Sequence, residues 1–183
     1  MRIFGIDPGS QRTGYGCIDS DGSRYRLVAC GAVTVSTRLP FSDRLAGIYD
    51  ELASLLATHR PECVAIEDVF VARNAKSSLK LGHARGVAML AASKAGLTVA
   101  EYTATEVKLA LVGFGRAEKA QVQQMVALLL GLDTPPTPHD ASDALAIAVC
   151  HANRAAGPAA TRLTDAQTHV RSWRQYRPEG SGS

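Results

Sequence analysis

The sequence predicts one α/β domain built on a mixed five-stranded sheet flanked by helices. Three observations lead there. Three β segments follow one another within the first 35 residues. From Pro40 onward, helical and strand periods alternate. Hydrophobic residues make up 46% of a 183-residue chain, enough for a sizeable buried core. The same composition excludes wholesale disorder. No apolar run reaches the roughly 18–20 residues of a membrane span. Met1 to Asp7 runs straight into a strand-like segment instead of a targeting peptide, so a soluble, cytoplasmic protein is expected.

The elements follow in order. Ile3 to Ile6 is a short apolar strand ending at Asp7-Pro8-Gly9, where proline and glycine impose a turn. Gly14 to Ile18 is a second strand. Asp21-Gly22 marks a reversal and Tyr25 to Val35 resumes the strand pattern, so the chain opens on hairpins. Leu45, Ile48, Tyr49, Leu52, Leu55 and Leu56 then recur at helical spacing, with Ser42 or Asp43 as the cap and Pro61 as the stop. Cys63 to Ile66 is a continuous apolar strand ending at Glu67. A long helix spans about 75–95, and Gly96 leads into a strand from Leu97 to Ala100. Thr103-x-x-Glu106 is a capping box that opens a short helix ending near Gly113. Lys119 to Leu130 is another helix, and Pro135-Pro136-Thr137-Pro138 is a rigid loop. Ala141 to His151 is a last helix, apolar nearly all round and so expected to be buried. Beyond residue 154 the chain turns polar and basic, with Arg162, Arg171, Arg174 and Arg177. A domain at 1–154 and a disordered tail at 155–183, with a weak helix near Trp173, are expected.

Charge and cysteine content narrow the function only slightly. A net charge of +3 and a pI near 8.8 permit an anionic partner without demanding one. Cys17, Cys30, Cys63 and Cys150 contain no C-x-x-C pair, so free core thiols are expected, not zinc ligands or disulfides.

Four of the 17 acidic residues are placed unusually. Asp7 and Glu67 each end an apolar strand, and Asp140 and Asp143 stand one helical turn apart at the start of the buried last helix. Carboxylates at neighbouring strand ends and on one helix turn can converge at a sheet edge, where they repel one another and take up protons. A hard divalent cation removes that conflict, and oxygen-only ligands favour Mg²⁺ or Mn²⁺ over zinc. Each acid also has an ordinary role open to it. Asp7 suits a turn, Glu67-Asp68 a solvated strand end, Asp140 an N-cap and Asp143 a first helical turn. Glu101 also ends an apolar strand, so the inference rests on the combination.

Several blocks in order carry a resemblance. Gly5-Ile6-Asp7-Pro8-Gly9 with Gly14-Tyr15-Gly16, then Ala65-Ile66-Glu67-Asp68-Val69-Phe70, Asn74 to Gly82, Ala117-Glu118-Lys119 and His139 to Ala148 resemble the RuvC family of bacterial Holliday junction resolvases. The likeness runs from residue 2 to about 153. It implies a ribonuclease H-like fold and a homodimeric, Mg²⁺-dependent endonuclease that cuts opposed strands of a four-way DNA junction symmetrically, in recombination and repair. By motif position, the family's metal-binding, catalytic acids fall on Asp7, Glu67, Asp140 and Asp143. Some members carry histidine at the position of Asp140. Here His139 stands one residue earlier, and Asp140 is kept as the ligand.

The implied chemistry uses two cations per site, Mg²⁺ with Mn²⁺ as a substitute, roughly 3.5–4 Å apart. In-line hydrolysis would leave 5′-phosphate and 3′-hydroxyl ends without a covalent intermediate. Lys108 and Lys119 match phosphate-contacting lysines of the family, and Arg73, Lys76 and Lys80 form a second basic group beyond Glu67. Phe70 either stacks on an unpaired base where the junction opens or tucks into the core. Small residues on the helix from Lys76 to Ala95 suit either a twofold interface or close packing on the sheet. Contact with the RuvA–RuvB branch-migration complex is implied by the resemblance alone. Two other readings stand beside it: a related nuclease acting on ribosomal RNA precursors, and a module that binds branched DNA without cutting. The opening motif also resembles the phosphate loop of actin-like ATPases, but those need two such domains and this chain is too short.

Overall fold

Successive side chains of a strand point to opposite faces. The two central strands are buried at every position from Ile3 to Ile6 and from Cys63 to Ile66, so both faces of the sheet need a cover. The computed structural model describes residues 1–68 and 75–155. In it β1 (Arg2–Asp7), β2 (Arg12–Ser20), β3 (Tyr25–Thr34), β4 (Cys63–Asp68) and β5 (Thr98–Thr103) form one sheet in the order β3-β2-β1-β4-β5. The β3-β2-β1 half is antiparallel, and β1-β4-β5 is parallel. The mixed α/β sheet predicted from the sequence is the one observed.

Helices α1 (Phe41–His59) and α2 (Ala75–Lys94) cover one face, over Phe4, Ile6, Val64 and Ile66. Helices α3 (Ala104–Val112), α4 (Lys119–Leu130) and α5 (His139–Ala155) cover the other, over Ile3, Cys63 and Ala65. Odd-numbered residues of β1 and β4 therefore face α5, and even-numbered ones face α1 and α2. Fully buried Ile, Leu and Phe side chains on both faces each contribute about 1.5–3 kcal/mol.

Several boundaries differ from expectation. The N-cap of α1 is Pro40, so Ser42 and Asp43 lie inside the first turn. There Asp43 still suits the positive end of the helix dipole. β5 extends to Thr103 because β4 runs to Asp68 and pairs with it, so the ladder and not apolar content sets its end. Glu101 is consequently an internal strand residue. α5 begins at His139, which places Asp140 in the first turn and not at the cap. The capping box at Thr103 is formed: its hydroxyl accepts from the Glu106 N–H, while the Glu106 carboxylate accepts from the Thr103 N–H. All four cysteines are free. No helix among the described residues is long and apolar enough to cross a membrane. The expected tail, with Trp173, lies outside the described residues.

One contact fixes where α5 lies. A Cβ on Gly5 would fall onto the carbonyl oxygen of Ala144 and 3.0 Å from its carbon. On Gly14 it would meet the Asp140 carbonyl, and on Gly16 it would lie 2.6 Å from Leu145 Cγ. Gly5 and Gly16 are directly opposed across the β1–β2 ladder. These glycines form a bare pad on which the helix backbone sits against the sheet. Gly5→Ala should therefore lower stability by about 1–3 kcal/mol or more, measured by denaturant unfolding, because the obstructing atoms are backbone and cannot rotate away.

Candidate active site

The parallel register of β1 and β4 pairs Ile6 with Ile66, which sets Asp7 and Glu67 side by side at the end of the sheet. Both are odd-numbered, so both face α5. Across the antiparallel ladder Asp7 is opposite Gly14, the residue against which the Asp140 backbone rests. The pad thus carries the first turn of α5 to the same strand ends, bringing Asp140 and Asp143 beside Asp7. The four acids singled out in the sequence come from three separate segments and converge here.

Their electrostatics show the crowding. Burial, then the charges of Glu67 and Asp143, a hydrogen bond with Glu67 and the charge of Asp140 push the Asp7 carboxyl up to about 8. Glu67 is raised as well, first by burial and also by Asp143, although Asp7 and Lys119 pull the other way. Lys119, from the first turn of α4, forms an ion pair with Asp143. Burial works against its charge, but Asp143, Asp7 and Asp140 outweigh that and raise its pKa overall. Arg12 of β2 lies 3.5 Å from Asp140 Oδ2, and the buried Gln123 of α4 donates to Asp143 Oδ1 at 3.5 Å.

Among the described residues no three acids, histidines or cysteines are already drawn around one point closely enough to hold an ion. Lys119 places one positive charge among the acids. The donor set still fits a hard divalent cation, because it is all oxygen, held on two strands and a helix, and strained by like charge.

The remaining nominated residues are more dispersed. Lys108 is half-buried on α3, which starts where β5 ends, and it forms no ion pair among the described residues. Lys76 is exposed at the start of α2. Lys80 lies over the Phe41 ring at 5.9 Å, by the first turn of α1. His139 is exposed, one residue before Asp140. Phe70 and Arg73 lie outside the described residues. The sequence reading missed Arg12 and Gln123. Gln123 had a faint signal, since it follows Lys119 by one helical turn on the same face. Arg12 had none.

A raised carboxyl binds more protons in the folded chain than in the unfolded one. Asp7 then contributes stability that is complete below about pH 4, its unfolded range, and is lost as pH rises through about 8. In EDTA, the Tm of the wild type should fall between about pH 5 and pH 9. Asp7→Asn should flatten that fall and be the more stable protein at the alkaline end, as read by thermal melts across the range.

Comparison with known proteins places the chain among relatives. The family model described as Crossover junction endodeoxyribonuclease RuvC matches residues 3–151. A protein of that name from Koribacter versatilis is 55% identical over 157 residues, covering 85% of this chain and 95% of its own. One from Syntrophotalea carbinolica is 58% identical over 153 residues, covering 84% and 94%. The structure of Thermus thermophilus RuvC in complex with Holliday junction substrate superposes with a TM-score of 0.82 at 38% identity, covering 85% of this chain and 95% of that one.

Proposed function

Because the chain belongs to the RuvC family of crossover junction endodeoxyribonucleases, we propose that Asp7, Glu67, Asp140 and Asp143 are the metal-holding, catalytic acids with which it cuts. It is a nuclease that resolves four-way Holliday junctions in DNA recombination and repair. The single observation that carries the assignment is the convergence of these four carboxylates where β1, β4 and the first turn of α5 meet.

Family membership makes the chain divalent-metal dependent. We infer Mg²⁺, with Mn²⁺ as a substitute, and two ions per site, a number that fits four converging carboxylates. Bound there, the cations would lower the pKa of an attacking water and stabilise the leaving 3′ oxygen. The protein's part is to hold the acids rigidly on strands and helix, so that no reorganisation is needed when charge develops. Asp7, between the other acids, gives up its proton when the site is loaded. Lys119 exchanges its bond to Asp143 for a phosphate oxygen of the DNA, and Lys108 of α3 contacts a further phosphate. Lys76, Lys80 and Arg73 extend the phosphate contacts beyond Glu67, and Phe70 stacks where the junction opens. Such contacts position the scissile strand without reading its sequence. The products would carry 5′-phosphate and 3′-hydroxyl ends.

Paired symmetric nicks need two sites, and α2 offers a surface for a homodimer. Its Ala84, Ala88, Ala91 and Ala92 pack inward on the sheet, while Leu79 and Leu90 are 63% and 50% exposed. Between those leucines Gly82 and Gly86 face open space, so two helices could cross there at close range. A cytoplasmic location, handover from a RuvA–RuvB complex, and a domain at 1–154 with a separate basic tail complete the proposal.

Two measurements test it. With Mg²⁺, the wild type should nick a synthetic four-way junction in opposed strands and leave a linear duplex of the same sequence uncut. Asp7→Asn should still bind the junction but cut it at least about a thousandfold more slowly, as the loss of several kcal/mol of charge stabilisation requires. Binding without cutting by the wild type would favour a recognition module, and cutting of structured RNA alone would favour the RNA nuclease. Separately, Leu90→Arg should convert the dimer to a monomer in sedimentation and abolish paired nicking without lowering Tm.

A further inference from the structure

β4 ends in consecutive acids, Glu67 and Asp68, and β5 carries a third, Glu101, opposite Ile66 in the ladder. Alternation sorts them. Glu67 faces α5 together with Asp7, while Asp68 and Glu101, in phase with Ile66, face α2. On that side Arg85 of α2 meets all three residues and is itself only 20% exposed. Its Nη2 forms an ion pair with the Glu101 carboxylate and lies 3.4 Å from Asp68 Oδ1. Its Nε donates to the backbone carbonyl of Glu67 at 3.1 Å.

We propose that Arg85 is a positioning residue for Glu67, anchoring its peptide from the opposite face of the sheet while neutralising the two neighbouring acids. The proposal rests on Glu67 being a metal-holding acid. A guanidinium has donors fixed in several directions, so one side chain satisfies a carbonyl and two carboxylates at once, which an ammonium on a flexible stem does not reproduce. Anchoring the carbonyl fixes the direction in which the Glu67 side chain leaves the strand. Small displacements at such a position reduce rate strongly. Neutralising Asp68 and Glu101 keeps two unpaired negative charges from drawing cations away from the site and from repelling a DNA backbone.

The test is Mn²⁺ binding to the full-length protein without DNA, by calorimetry, for the wild type, Arg85→Lys and Glu67→Gln. Tm and junction affinity are measured alongside in EDTA. Arg85→Lys keeps the charge but loses the anchor. It should bind Mn²⁺ about tenfold more weakly, equivalent to about 1.4 kcal/mol, while Tm and junction affinity stay near wild type. Its kcat for junction cleavage should fall with KM unchanged. Wild-type Mn²⁺ affinity and kcat in Arg85→Lys would overturn the proposal, provided Glu67→Gln weakens binding. If Glu67→Gln binds Mn²⁺ like the wild type, the assignment of Glu67 has failed instead. Should Arg85→Lys melt early because one ammonium does not reach both acids, the variant that also carries Asp68→Asn and Glu101→Gln removes the carboxylate left without a partner. Persistent weak Mn²⁺ binding in that triple variant supports the anchor, and recovered affinity overturns it.

Discussion

The absence of three side chains governs this structure. With Gly5, Gly14 and Gly16 bare, the backbone of α5 approaches the β1–β2 ladder more closely than any Cβ would allow. That approach brings the first turn of the helix, and with it Asp140 and Asp143, to the ends of β1 and β4. It also explains why α5 is apolar nearly all round: sheet, α3 and α4 enclose it, and residues from Ala141 to Ala152 are buried on almost every side. The contact that packs α5 on the sheet is therefore also the one that places its two first-turn acids. A protein that only needed stability would fill this interface with branched side chains. Here Gly5 and Gly14 meet helix backbone directly and Gly16 meets Leu145, and the backbone contacts fix position more tightly than flexible side chains could.

Much of this was legible in the sequence, for physical reasons. Asp7 and Glu67 stood out because an acid closing a continuous apolar run has no simple place in a core, and Asp140 and Asp143 because an i, i+3 pair opens an otherwise apolar helix. What escaped was anything decided by pairing partners. Glu101 looked like Glu67 by composition, and only the β4–β5 register shows that the two point to opposite faces. The start of α1 was misplaced because Ser42 and Asp43 are better capping residues than Pro40, yet the chain direction imposed by the proline prevails. The extent of β5 depended on how far its neighbour ran. Arg12, Gln123 and Arg85 act through long side chains reaching from other elements, and no local pattern marks such a reach.

The charge arrangement follows from that register. Within a few residues this sheet end gathers Asp7, Glu67, Asp68 and Glu101, and α5 adds two acids more. So dense a cluster would be self-repelling if it were undivided. The pleat divides it, with cations from different elements on the two sides: Lys119 from α4 and, at its edge, Arg12 from β2 on one, Arg85 from α2 on the other. On the side facing α5, burial and the charges of Glu67 and Asp143 together push the Asp7 carboxyl up, whereas on the α2 side the acids are paired.

The order of the segments along the chain has a consequence for biosynthesis. β1 and β4 emerge from the ribosome early, but the acids of α5 are made only after every described strand and the four helices described before it. Until α5 settles on its glycine pad, the nascent chain carries only half of the proposed metal-holding acids. On the proposed assignment, a DNA-cutting activity would thereby be withheld from truncated or half-folded products, and completion of the fold would act as its own safety catch.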